Sequence, residues 1–138
     1  MLYTIPGGSR RILLAEDDPV IRHLATAVIG QEGYEVVAVA DGREAFRILQ
    51  TDADFKAAVF DMTMPHLEGL DLVRFMKTEK RLMRIPVLMI TAETDIKLMA
   101  ASFSAGATAF LPKPFTPPQL RSALRLLLSD SASARRAA

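Results

Sequence analysis

The chain has no cysteine and no tryptophan, and only two tyrosines and two histidines among 138 residues. Without cysteine there is neither a disulfide framework nor a thiolate metal site, and a reducing interior is compatible. His23 and His66 stand in no His-rich spacing, so each is read as a surface residue rather than a ligand. An excess of either charge is also missing. Lys and Arg number 17 against 16 for Asp and Glu, and a net charge of +1 gives no electrostatic reason to expect nucleic acid or an acidic membrane surface. No apolar run approaches the roughly 20 residues needed to span a bilayer. Met1 to Arg10 holds Pro6, Gly7 and Gly8 rather than a continuous apolar stretch, so it does not resemble a signal peptide. The expectation is a cytoplasmic protein with neither nucleic acid nor membrane as partner. No glycine-rich phosphate loop follows the first apolar run, which leaves a dinucleotide or flavin site unsupported.

What the chain does have is apolar residues, half of the total. That is enough for one sizeable core, in a chain too short for two ordinary domains. Arg11-Ile12-Leu13-Leu14-Ala15 reads as a strand and runs into Glu16-Asp17-Asp18-Pro19, where Asp18 suits a helix cap and Pro19 its first turn. Ile21, Leu24, Ala25, Val28 and Ile29 then recur on one helical face, which Gly33 ends. Val36 to Val39 is a second strand; Asp41-Gly42-Arg43-Glu44 has capping-box spacing before a helix that buries Ala45, Ile48 and Leu49. Asp52 and Asp54 are read as solvated loop carboxylates. A third strand spans Ala57 to Phe60. Gly69, Leu72, Val73 and Met76 follow at helical spacing, closed by the charged run Lys77 to Arg84. Pro86 to Ile90 is the fourth strand, before a helix whose apolar positions Ile96, Met99, Ala100 and Phe103 lead to Gly106. Thr108 to Leu111 is the fifth. Thr116-Pro117-Pro118-Gln119 then opens a last helix with Leu120, Ala123, Leu124, Leu127 and Leu128 on its apolar face.

Five continuous apolar runs alternating with five helical patterns predict an α/β fold, a single doubly wound (βα)5 domain whose parallel sheet carries helices on both faces. The predicted organisation is a flexible segment over 1–10, the domain over 11–129 and a disordered tail over 130–138. Right-handed crossovers bring all strand C-termini to one edge. Glu16 and Asp17, Asp61, Thr91 and Lys113 would gather there. Clustered carboxylates repel unless a cation fills the site, and an all-oxygen donor set favours Mg²⁺ or a similar hard ion. Met62 and Met64, at a strand–loop junction, read as packing material.

Leu14-Ala15-Glu16-Asp17-Asp18, Val59-Phe60-Asp61-Met62-Thr63-Met64-Pro65 with Gly69, Ile90-Thr91-Ala92 and Leu111-Pro112-Lys113-Pro114-Phe115, in this order and spacing, resemble the receiver domain of bacterial two-component response regulators, in its stand-alone CheY-like form. The resemblance covers about Arg11 to Leu128. It implies a flavodoxin-like strand order 2-1-3-4-5, with Asp61 as the phosphoacceptor for a histidine kinase, a phosphotransfer protein or a small acyl phosphate. Glu16, Asp17, Asp61 and the backbone carbonyl of Thr63 would hold Mg²⁺. Lys113 and Thr91 would meet the phosphoryl oxygens, and Lys113-Pro114 would be a cis peptide. Thr91 and Phe110 would form the switch, while Thr63 and Glu93 would tune the phosphoryl lifetime. Glu16 stands where the family more often has Asp, and its longer arm would reach the metal through water. Phe110 lacks the hydroxyl a tyrosine would offer.

The resulting expectation is a phosphorylation-switched signalling module, non-enzymatic beyond its own phosphoryl chemistry, that acts through a downstream protein. Leu98 and Leu126 fall outside the buried stripes, so a homodimer or partner surface is expected on the face of the fourth helix, fifth strand and fifth helix. Two alternatives compete. A Mg²⁺-dependent phosphohydrolase with Asp61 as nucleophile would want a second acid two residues on, where Thr63 stands; a phosphorylation-independent scaffold would have no use for the full acid, threonine and lysine set.

Overall fold

A computed structural model describes residues 9–92 and 96–137. The order is β1 (Arg11–Ala15), α1 (Pro19–Gln31), β2 (Glu35–Val39), α2 (Gly42–Thr51), β3 (Ala57–Asp61), α3 (Gly69–Lys77), β4 (Val87–Thr91), α4 (Ile96–Ala105), β5 (Ala109–Pro112) and α5 (Pro117–Ala137). All four pairings are parallel, and the sheet runs β2-β1-β3-β4-β5. This is the doubly wound sheet that the apolar runs predict, in the strand order that the resemblance implies.

The central strands carry unbroken apolar runs, Ile12 to Ala15, Ala57 to Phe60 and Val87 to Ile90, because each face of the sheet is covered. Leu13, Ala15, Ala58, Phe60, Val87 and Met89 point into one cluster with α2, α3 and the partly buried Leu98 and Ala105 of α4. Their neighbours Ile12, Leu14, Ala57, Val59, Leu88 and Ile90 point into the other, with α1 and α5. The period of two thus distributes side chains between two layers rather than between core and solvent.

The helix starts follow their capping residues. The Asp18 carboxylate accepts from Val20 N (2.8 Å) and Ile21 N (3.3 Å), with Pro19 in the first turn. Asp41 accepts from Glu44 N at 3.0 Å, and Thr116 and Gln119 bond reciprocally at 2.8 and 3.3 Å.

Several sequence expectations need correcting. The spacing of Ile96, Met99, Ala100 and Phe103 predicts the buried face of α4, yet Ile96 is 80 % and Phe103 50 % exposed. The helix instead turns Ser102 fully inward, with Leu98 and Ala105 beside it. This segment is apolar nearly all round, so periodicity alone does not fix its rotation. Leu98 therefore packs, partly buried, against the core, whereas Leu126 is 65 % exposed. The tail expected to be disordered has helical backbone to Ala137, since no glycine or proline interrupts it. Of the expected flexible segment, residues 1–8 lie outside the described residues. Ser9 and Arg10 are tied down: Ser9 Oγ donates to Asp54 O at 3.1 Å, and Arg10 Nε to Gly33 O at 2.9 Å. Asp52 is more than a solvated carboxylate, because Arg11 Nη1 lies 2.8 Å from its Oδ2.

Candidate functional site

Strand register assembles the site. Ala15 is level with Phe60, so the next residues, Glu16 and Asp61, come side by side; Thr91 is level with Pro112, one residue before Lys113. β1 and β3 are neighbours whose following helices go to opposite faces of the sheet, leaving a crevice between their ends.

Asp61 is 4 % exposed and Glu16 fully buried, while Asp17 faces solvent. A carboxylate oxygen from each lies within 4.8 Å of the others. Lys113 Nζ reaches between two of them, 3.1 Å from Asp61 Oδ2 and 3.0 Å from Glu16 Oε1. The other Asp61 oxygen accepts from the backbone N of Thr63 at 3.1 Å, and Glu16 Oε2 accepts from Asp18 N at 3.1 Å. The β1–α1 loop is fixed further by Glu16 N donating to Val39 O (3.2 Å) and by Arg22 Nη1, which donates to the carbonyls of Glu16 (2.9 Å) and Asp17 (3.4 Å). Arg22 lies off the apolar stripe of α1, and no pattern in the sequence singles it out.

Burial, together with contact with the Asp61 carboxyl group, raises the Glu16 pKa from 4.5 to about 7. Burial opposes the charge on Lys113, but the two carboxylates outweigh it and hold its pKa above the ordinary lysine value. Although Glu16 Oε1 stands at ion-pair distance from Lys113, it accepts no properly directed hydrogen bond. A buried carboxylate oxygen without a directed donor, beside two further carboxylates, is a donor set suited to a hard cation. The residues present therefore fit Mg²⁺.

Thr91 is 2 % exposed, and its carbonyl accepts from Lys113 N at 2.8 Å. Lys113-Pro114 is cis. Phe110 is half-buried with its ring edge-on to Phe103, centroids 4.6 Å apart. Thr63 is exposed; Glu93 lies outside the described residues. The loop after Asp61 is wedged by two close approaches. A Cβ on Gly69 would come within 2.5 Å of the Asp61 carbonyl, and one on Gly42 would collide with the Leu67 carbonyl. His66 sits in this loop at φ +70°.

Residues 12–125 match the response regulator receiver domain. The chain belongs to the receiver domain family. It is 34 % identical over 122 residues to chemotaxis protein CheY1 of Helicobacter pylori, covering 88 % of this chain and 98 % of that protein. Among solved structures it is similar to chemotaxis response regulator CheY4 of Vibrio cholerae, at 32 % identity with a TM-score of 0.81, covering 87 % of this chain and 99 % of that one. It also resembles the receiver domain of sensor histidine kinase PA1611 from Pseudomonas aeruginosa, at 29 % identity and a TM-score of 0.78 over 88 % of this chain and 98 % of that one. That structure carries a magnesium ion coordinated in its active-site cleft. Receiver domains belong to two-component signalling, and this one carries an acidic cluster of Glu16, Asp17 and Asp61. Among the described residues no helix is long and apolar enough to cross a membrane.

Proposed function

We propose that this receiver domain is switched by phosphorylation of Asp61, taken from a histidine kinase, a phosphotransfer protein or a small acyl phosphate, and that the phosphorylated form signals by binding a downstream protein. The observation that carries this reading is the placement of Asp61: nearly buried at a strand tip, one oxygen on Lys113, two more carboxylates within 4.8 Å.

Asp61 attacks the donor phosphorus through a carboxylate oxygen. A P–O bond forms, and the bond from phosphorus to the donor's imidazole nitrogen or acyl oxygen breaks, its electron pair leaving with the donor. Such transfers need alignment and charge neutralisation more than covalent help from other groups. Thr63 N holds one Asp61 oxygen and fixes the direction of attack. Lys113, already beside the other, is placed to pair with a phosphoryl oxygen once Asp61 is modified. Glu16, Asp17, Asp61 and the Thr63 carbonyl would hold Mg²⁺, which supplies positive charge against the incoming phosphoryl group. The magnesium ion in the active-site cleft of the PA1611 domain supports this assignment.

Thr91 then donates its hydroxyl to a phosphoryl oxygen, and Phe110 follows, rearranging its contact with Phe103. The exposed side chain of Thr63, together with Glu93, tunes the lifetime of the acyl phosphate. The partner surface is the face of α4, β5 and α5, where Phe103 and Leu126 are exposed; a homodimer would use the same face.

Acetyl phosphate with Mg²⁺ should add one phosphoryl group by intact mass spectrometry, with none after EDTA treatment and none in Asp61→Asn. An unmodified wild type under these conditions, together with no transfer from any phosphorylated kinase, would overturn the reading. Lys113→Ala should still bind Mg²⁺ yet fail to bind the downstream partner on phosphodonor treatment; full partner binding by that variant would remove Lys113 from the relay.

A further inference from the structure

The three clustered acids are not held equally. Glu16 is fixed at its backbone by Val39 and at its carboxylate by Asp18 N and Lys113. Asp61 is fixed by Thr63 N and Lys113. Asp17 has none of this: it is exposed, and among the described residues its carboxylate accepts no hydrogen bond and enters no ion pair. The direction of its side chain is left to its backbone. The side chain that grips that backbone is Arg22, whose Nη1 bridges the successive carbonyls of Glu16 and Asp17.

Arg22 is itself well placed to be a fixed strut. It stands in the first turns of α1, its backbone N donates to Asp18 O at 2.9 Å, and its carbonyl accepts from Thr26 Oγ1 at 2.7 Å. The helix start is anchored in turn by the Asp18 cap, and Asp18 N donates to Glu16 Oε2. A closed loop of bonds therefore runs from Glu16 through Asp18 and Arg22 back to the carbonyls of Glu16 and Asp17.

We infer that Arg22 is a positioning residue for divalent-cation binding: it aims the Asp17 carboxylate by locking the two peptide groups that carry the acids. This rests on the proposed Mg²⁺ site. Groups that orient metal ligands without touching the ion commonly alter affinity by about 10-fold or more when removed. The sign of the effect discriminates the role. Were Arg22 only a nearby positive charge, its removal would relieve repulsion of the cation and tighten Mg²⁺ binding. A positioning role makes binding weaker.

The test is isothermal titration of EDTA-stripped protein with MgCl₂ for wild type, Arg22→Lys and Arg22→Gln. It is paired with the Mg²⁺ dependence of phosphoryl uptake from acetyl phosphate. Arg22→Gln should weaken Mg²⁺ binding about 10-fold, and Arg22→Lys, which keeps the charge and one donor, by less. The Mg²⁺ concentration for half-maximal uptake should rise in step while the rate at saturating Mg²⁺ is retained. Urea midpoints in EDTA, and Gly30→Ala on the same helix as a control for altered helix stability, separate a general folding defect from loss of aim. Equal or tighter Mg²⁺ binding in Arg22→Gln would overturn the inference while leaving the proposed site intact. An absence of Mg²⁺ binding in wild type would overturn the site itself.

Discussion

α3 and α4 start just beyond the ends of adjacent strands, one after Asp61 and the other after Thr91, yet they are seated differently. α3 buries Gly69, Leu70, Leu72, Val73 and Met76 and is capped by Asp71 Oδ2, which accepts from Glu68 N at 3.1 Å. α4 fully buries Ser102 alone and leaves Ile96 and Phe103 in solvent. The helix that follows the acceptor strand is thus anchored by a large apolar face, and the helix that follows the threonine strand by a small and partly polar one. Elements with little buried apolar area open or shift at low free-energy cost. In the proposed switch, the acceptor must stay in register with Lys113 and the acids, whereas the surface read by a partner must have two positions. The unequal seating matches that division.

The sharpest way to break this contrast is truncation. Leu72→Ala removes a fully buried side chain and should cost about 2–5 kcal/mol, whereas Phe103→Ala, half in solvent, should cost less than about 1 kcal/mol. Urea midpoints with unchanged m-values would establish the difference. Similar losses for the two would mean that α4 is held as firmly as α3.

Gly69→Ala probes the acceptor side more locally. Its Cβ would press within 2.5 Å of the Asp61 carbonyl and 2.9 Å of Met89 Cε. Overpacking of this kind should cost about 1–3 kcal/mol, together with slower phosphoryl uptake, because the backbone at Asp61 must move. Gly30→Ala on α1 meets nothing within 4 Å, and there the helix should gain up to about 1 kcal/mol. A harmless Gly69→Ala would show that the loop after Asp61 is more pliant than its packing indicates.

The acceptor end is rigid but electrostatically loaded, and pH exposes this. Glu16 has a folded pKa raised to about 7, against 4.5 as its reference. Between those values the folded state holds a proton that the unfolded state has released, so the contribution of Glu16 to stability falls as pH rises from about 4.5 to 7. In EDTA, wild type should lose stability relative to Glu16→Gln across this window, by on the order of 1–3 kcal/mol. Saturating Mg²⁺ should reverse the ranking at pH 8, where the cation favours the carboxylate. A pH-independent difference between the two proteins in EDTA would place the Glu16 charge in a less costly environment.

Much of this was legible in the residues themselves. Continuous apolar runs such as Ile12 to Ala15 and Ala57 to Phe60 announce strands covered on both faces, and the polar groups immediately after them mark the site edge. The rotation of α4 was not legible, because Ile96, Leu98, Met99 and Phe103 offer apolar side chains all round and the sheet decides among them. Leu82, fully buried inside the charged run Lys77 to Arg84, was hidden for the converse reason: one apolar residue has no period. Arg22 was illegible because its role lies in two backbone carbonyls, and carbonyls carry no sequence signal. The wedge of Gly69 against the Asp61 carbonyl likewise depends on backbone proximity, although the glycine itself was in view.

The smallest expected effect falls on Ser102, and it bears on α4 most directly. Its hydroxyl donates to Leu98 O at 3.1 Å, one turn back in the same helix, and lies 3.9 Å from Met62 Sδ, beside the acceptor residue. The Leu98 carbonyl has a helical partner in any case, and a thioether is a weak acceptor. Ser102→Ala removes donor and buried polar group together, so stability should change by less than about 1 kcal/mol. Hydrogen exchange at the α4 amides should slow slightly, as alanine is the better helix former. A loss above about 2 kcal/mol would instead make the hydroxyl a principal anchor of α4. α4 would then be fixed to Met62, and through it to the acceptor strand, by a polar contact rather than left loose, and the contrast with α3 would become one of chemistry instead of strength.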